Sequence, residues 1–429
     1  MPEQELTTRI SSIVDDLRGE TIELLRALVA APSITGAEQP VQDVVAGYMH
    51  GAAFDEVDVW EPDPAEMADH ADAIGDIASF AGRPNVVGTM HGAGGGRSLV
   101  LNAHIDTVDY GDPAFWTADP LGGEVRGDRL YGRGSCDMKG GLVAELIALR
   151  ALRELGVRLA GTVKVQSVIS EEDGGAGTLA AILRGHVGDA AIITEPTGTS
   201  LVTAQGGSLV FRMTVTGKSA HACVRDEGVS AIEKFALLHR ALLDHEAAHN
   251  ADIAHPLYAG FTNKAPVNIG TVRAGSWPSS VAETLVAEGR AGLVPGESLD
   301  ATRRSMLAAI DAVVAADPWL RDHPPVIEWF SGQFGAAEVD PASDIVTTLS
   351  AAHRAITGGE AAIEGATYGA DMRHFIDTAG MPCLMYGARD VRVAHHADEF
   401  VPLGELLTVA KSLAVAMVEW CGVASVDEC

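Results

Sequence analysis

Five short stretches of the chain carry side chains that could act together on one substrate bond. They are His104-Ile-Asp106, the glycine-dense Tyr131-Gly-Arg-Gly-Ser-Cys-Asp137-Met-Lys-Gly-Gly141, Ser170-Glu171-Glu172-Asp173, Thr194-Glu195-Pro196, and Ala394-His395-His396-Ala397-Asp398-Glu399. In extended chain, residues i and i+2 share a face, so Asp106 could hold one ring nitrogen of His104 while the other binds a metal. The same pair would equally serve as a hydrogen bond that ties down a loop. A lone Asp137 in a glycine-rich turn fits a capping residue as well as a ligand. Gly132-Arg-Gly134 does not open a dinucleotide fingerprint, because Asp137 stands where the third glycine belongs. Three adjacent acids at 171–173 repel one another unless a cation or a proton offsets them, although charge runs are commonly solvated loops. Two adjacent histidines point apart, so at most one of His395 and His396 is a ligand. The pool is two imidazoles, one Asp and two Glu, a mixed set that suits zinc, and cobalt or manganese less selectively.

The elements that must position these groups read as an α/β pattern. Runs at 85–90, 98–103, 162–169 and 190–194 are strands, with helices over 142–155 and 177–184. The five stretches mostly follow strand ends, where open α/β sheets place their ligands. This rhythm predicts a mostly parallel central sheet covered on both faces. Near Gly206 the order becomes β-α-β-β-α-β, the ferredoxin-like pattern. The expected domains are therefore 1–206 and 336–429 for one, with an inserted domain at 207–335. The acidic, alanine-rich stretch from Glu61 to Arg83 reads as an irregular insertion.

At 429 residues the chain is too long for one ordinary core. Its 30 Lys plus Arg against 59 Asp plus Glu give a net charge of −29. That charge repels phosphate backbones and anionic bilayers, which excludes nucleic acid and membrane surfaces as bulk partners. Five scattered cysteines, including Cys429, lack paired spacing and argue against a disulfide framework or thiolate zinc site. The start, Met-Pro-Glu-Gln-Glu-Leu, shows no apolar leader core, and the apolar run Leu406 to Trp420 contains Lys411 and reads as a core helix. The expectation is a cytoplasmic protein. A serine-hydrolase reading lacks the Gly-x-Ser-x-Gly elbow.

Taken together, His104-Ile-Asp106, Gly132-Arg-Gly-Ser-Cys-Asp137-Met-Lys-Gly-Gly141, Ser170-Glu-Glu172, Glu195-Pro-Thr197 and Ala394-His395 resemble, in order and spacing, the motifs of the M20-type metallopeptidases and deacylases. That family includes acetylornithine deacetylase, succinyl-diaminopimelate desuccinylase, aminoacylase and glutamate carboxypeptidase. The resemblance spans nearly the whole chain. It implies a zinc-exopeptidase-like catalytic domain with an inserted lid and dimerisation domain. It implies two zinc ions bridged by Asp137, one completed by His104 and Glu195 and the other by Glu172 and His395. It assigns Glu171 as general base and Asp106 as the residue that orients His104. In the inserted domain, His221 would stabilise an oxyanion in the partner copy of a homodimer, and Asn268 would touch substrate. Arg373, in Asp371-Met-Arg373, would pair with a substrate carboxylate. The peptide after Asp137 would be cis. The implied activity is cleavage of a small N-acyl amino acid, acetylornithine deacetylase-like, with a dipeptidase or carboxypeptidase on a short peptide as the alternative. A catalytically silent binding protein would lack a ligand or the base, and none is missing.

Overall fold

The computed structural model describes residues 3–75 and 77–426; Cys429 lies outside them. The chain forms two compact units. The first comprises Met1–Thr203, Glu338–Glu364 and Asp371–Cys429, the second Ala204–Ala337 and Gly365–Ala370.

The first unit is built on β1 (Glu56–Trp60), β2 (Asn85–Met90), β3 (Leu99–His104), α1 (Lys139–Glu154), β4 (Val163–Val168), α2 (Ala176–Leu183), β5 (Ala190–Ile193), β6 (Leu201–Gln205), β7 (Cys383–Met385) and α3 (Leu403–Cys421). The strands lie in the order β1-β2-β4-β3-β5-β7-β6. The sheet is mixed, with the expected parallel strands at its centre and antiparallel ones at its edges. The central β4, β3, β5 and β7 are parallel, while β2 on one side and β6 on the other run antiparallel to them and β1 pairs antiparallel with β2. The sequence misleads on strand order because β2 and β3 are consecutive but not neighbours. The later strand β4 inserts between them, a non-local pairing that no local pattern encodes.

Strands β3 and β5 are buried on both faces because helices cover both. Helix α1 is buried almost all round, so it reads as a core helix rather than an amphipathic one. It packs against α3 and the helix Arg18–Ala30. Gly156, at φ 68°, takes the left-handed position that ends it. The 61–83 stretch is not wholly irregular: it holds a 3₁₀ helix, Pro64–His70, and a short α turn, Ala71–Ile74, and the first of these packs on α2.

The second unit follows the order strand Gly207–Thr216, helix Ala231–Asp252, strands Val267–Ala274 and Thr284–Leu293, helix Leu299–Ala316, strand Val326–Trp329. All pairings are antiparallel, with Gly207–Thr216 between Thr284–Leu293 and Val326–Trp329. Leu209, Phe211, Met213 and Val215 alternate onto one face and meet Phe235, Leu238 and Met306 of the helices. The residues between them, with Glu288 and Arg290, form the opposite face. No helix among the described residues is long and apolar enough to cross a membrane. Cys136, Cys223, Cys383 and Cys421 are all free thiols.

Candidate metal centre

Parallel register brings three strand ends to one edge of the sheet. His104 pairs with Val168, and Asn102 with Ile193, so His104, the Ser170–Asp173 turn and Glu195 emerge together. Two further loops arrive through a small sheet absent from the sequence-based expectation. Strand Arg129–Tyr131 pairs with Phe400–Pro402, which sets the Gly132–Asp137 loop beside His395–Glu399. The Gly132 amide donates to the Glu399 carbonyl at 2.9 Å, closing the join.

The result is two overlapping trios, His104-Asp137-Glu195 and Asp137-Glu172-His395, each with donor atoms within 4.8 Å of one another. Asp137 presents a different oxygen to each. His104 Nε2 lies 3.1 Å from its Oδ1 and 3.9 Å from Glu195 Oε1. His395 Nε2 lies 3.4 Å from Asp137 Oδ2 and 3.1 Å from Glu172 Oε1. His396 is exposed and only its carbonyl is engaged, by Arg133 at 3.3 Å. The Asp137–Met138 peptide is cis.

Electrostatics show what this donor set needs. Burial pushes the Glu195 carboxyl up to about 8, helped by the charge of Asp137. Burial also holds Glu171 well above the carboxylate range, with Asp371, Glu195 and Glu172 adding to it. Burial works against a charged His104, yet its hydrogen bond to Asp137 and the nearby Glu195 and Glu171 raise its basicity well above normal. His395 is raised to about 10 by Asp137 and Glu172. Buried carboxylates that coexist only by sharing protons are the donor set that divalent cations satisfy. Mixed imidazole and carboxylate donors, with one carboxylate shared, fit a pair of such ions.

The supporting contacts differ in part from expectation. His104 Nδ1 meets the Asp106 carbonyl at 2.9 Å, whereas the Asp106 carboxylate is 3.7 Å away. The main chain therefore sets the ring. The carboxylate instead accepts from the Glu171 and Glu172 amides at 3.1 and 3.2 Å and from the Thr35 hydroxyl at 2.9 Å. Asp106 thus positions the acidic turn. Glu399, which sequence reasoning passed over, accepts from the Cys136 amide at 2.9 Å and the Asp137 amide at 3.1 Å, and pairs with buried Arg133 at 2.8 Å. Its signal in the sequence is an acid closing the run 394–399 beside His395. Asp398 accepts from the Thr117 and Ala118 amides at 2.7 and 3.2 Å, which anchors the same loop.

Glu171 stands beside both trios without belonging to either, and is 7 % exposed. Arg373 is buried, and its Nη2 donates to the Gly174 carbonyl at 2.6 Å. His221 and Asn268 lie in the second unit. His221 is exposed, and its Nδ1 accepts from the Cys223 amide at 3.2 Å. Asn268 sits on the sheet face away from the helices, directly across from Arg290. Arg290 is partly buried, its Nε has no hydrogen-bond partner among the described residues, and burial depresses its basicity. A desolvated guanidinium with an amide beside it is suited to a carboxylate.

Residues 100–419 match the model of peptidase family M20/M25/M40. The chain belongs to this family. N-formyl-4-amino-5-aminomethyl-2-methylpyrimidine deformylase of Bacillus subtilis is 28 % identical over 432 residues, covering 95 % of this chain and 96 % of that one. A probable succinyl-diaminopimelate desuccinylase of Staphylococcus aureus is 33 % identical over 191 residues, covering 42 % of this chain and 47 % of that one. Among solved structures, a dipeptidase from Saccharomyces cerevisiae superposes with a TM-score of 0.79 at 12 % identity, over 98 % of this chain and 99 % of that one. The M20 chain is thus a hydrolase with a metal-binding site and the family's α/β fold.

Proposed function

We propose that this M20 hydrolase cleaves the amide of a small N-acyl compound, releasing a short carboxylate and a free amine, at a centre holding two zinc ions, with cobalt or manganese as substitutes. The observation that carries this reading is Glu171: a buried, protonatable carboxylate beside both donor trios but outside them. His104, Asp137 and Glu195 would hold one ion, and Asp137, Glu172 and His395 the other. Bound divalent cations supply Lewis-acid polarisation of the amide carbonyl and lower the pKa of water. Glu171 takes the proton of the attacking water on its carboxylate and returns it to the leaving nitrogen as the C–N bond breaks. Asp106 fixes where that carboxylate sits by holding the Glu171 and Glu172 amides.

Similarity along nearly its full length to a deformylase supports a short acyl group, formyl or acetyl. In an acetylornithine deacetylase-like reaction the substrate would also carry a carboxylate away from the amide. Solved peptidases share the fold, which alone does not favour a peptide substrate. We further read the protein as a homodimer through the second unit, with His221 stabilising the oxyanion in the partner copy, and as cytoplasmic, in keeping with its free thiols. A hydrolysis panel on zinc-loaded protein tests the substrate class, with released amine measured. N-formyl and N-acetyl compounds should exceed N-succinyl compounds and dipeptides. Preferential cleavage of dipeptides would move the assignment to a peptidase, and no release from any of them would remove it.

A further inference from the structure

We propose that Arg373, together with Asp371, is a positioning residue for the turn that carries Glu171, and not a receptor for a substrate carboxylate. The inference rests on the reading of Glu171 as the proton carrier. The turn is closed by the Gly174 amide donating to the Glu171 carbonyl at 3.0 Å and the Gly175 amide to the Ser170 carbonyl at 2.7 Å. Arg373 Nη2 clamps it from below through the Gly174 carbonyl. Gly175 has φ 78°, and a Cβ there would lie 2.2 Å from Asp371 Oδ1, 2.8 Å from His374 Nε2 and 3.0 Å from Arg373 Nη2. The turn is therefore seated directly on this group, with no room for a side chain between them.

The seat is itself anchored. Thr178 Oγ1 donates to Asp371 Oδ2 at 2.6 Å and accepts from Asn102 Nδ2 at 3.0 Å. Asn102 lies two residues before His104 on the same face of β3. One buried chain of contacts thus fixes the proton carrier relative to the strand that bears a ligand. Arg373 is 5 % exposed, and the charges of Asp371, Glu171, Asp377 and Asp72 act on it against the cost of burial.

The test compares Arg373→Lys and Arg373→Gln with wild type on an N-formyl amino acid and on the N-formyl derivative of the corresponding carboxylate-free amine. Zinc content is measured alongside kcat and KM. Both variants should keep wild-type zinc. For Arg373→Gln, kcat should fall about 10- to 100-fold on both substrates with KM within about twofold, since small misplacements of reacting groups cost rates of that order. Lys, which can still reach a carbonyl, should lose less. Thr178→Val cuts the anchor without touching the guanidinium and should give the same kcat loss, which covers failure of an Arg373 variant to fold. A KM increase confined to the carboxylate-bearing substrate, or unchanged kinetics, would overturn the proposal. Inactivity of zinc-loaded wild type on both compounds would overturn the reading of Glu171 and the inference with it.

Discussion

Each residue at the centre is set by a partner one step removed from the chemistry. His104 is turned by the Asp106 carbonyl, the acidic turn by the Asp106 carboxylate, and the Asp137 loop by Glu399. Glu399 matters most for stability, because it neutralises Arg133 in a pair with side-chain exposures of 4 % and 1 %. Removing one partner of such a pair strands a buried charge, at a cost of about 3–5 kcal/mol. Glu399→Ala should therefore lower the thermal midpoint markedly and weaken zinc binding, read by calorimetry and by metal analysis of the folded variant. An unchanged midpoint and full zinc content would show that the loop is held by other contacts.

At the scale of elements, the site depends on close approach of α1 to the end of β5. A Cβ on Gly141 would lie 2.3 Å from the Thr194 carbonyl oxygen, so helix and strand end meet only because this position is glycine. Gly141→Ala should cost about 1–3 kcal/mol through overpacking. It should also displace Glu195 and so reduce zinc at the His104-Asp137-Glu195 trio before the other. Metal titration with a structural probe of Glu195 would check this. The donors that come together in the two trios stand out in the sequence because most follow an apolar strand or open a helix, so local pattern and chemistry coincide. The second unit was legible for the same reason: its six elements follow one another along the chain. The order of the central sheet was not, since β4 enters between β2 and β3 from a distant part of the chain, with Val163 pairing Leu99, in a register that local hydrophobicity does not encode. The roles of Asp106, Glu399 and Arg373 were also hidden. Their partners are backbone groups, which every residue possesses, so residue type alone does not reveal them. The return of Gly365–Ala370 to the second unit was likewise invisible.

At the scale of the whole molecule, a net charge of −29 and a buried cluster of carboxylates act in the same direction. Cations that offset the cluster should stabilise the first unit as well as enable turnover, because a ligand bound only by the folded state adds to its stability. The second unit has its own core, and its stability should not follow the metal. The central claim is that two cations and Glu171 divide the work, the ions being held by the trios and the proton carried by the neighbouring carboxylate. The most direct measurement is a zinc titration of chelator-treated wild type and Glu171→Gln, with bound metal and amide hydrolysis read on the same samples. Both proteins should take up about two zinc ions per chain, while turnover by the variant stays about 10²- to 10⁴-fold below wild type. Near-normal turnover by a fully loaded Glu171→Gln, or wild type saturating with a single ion, would contradict the account.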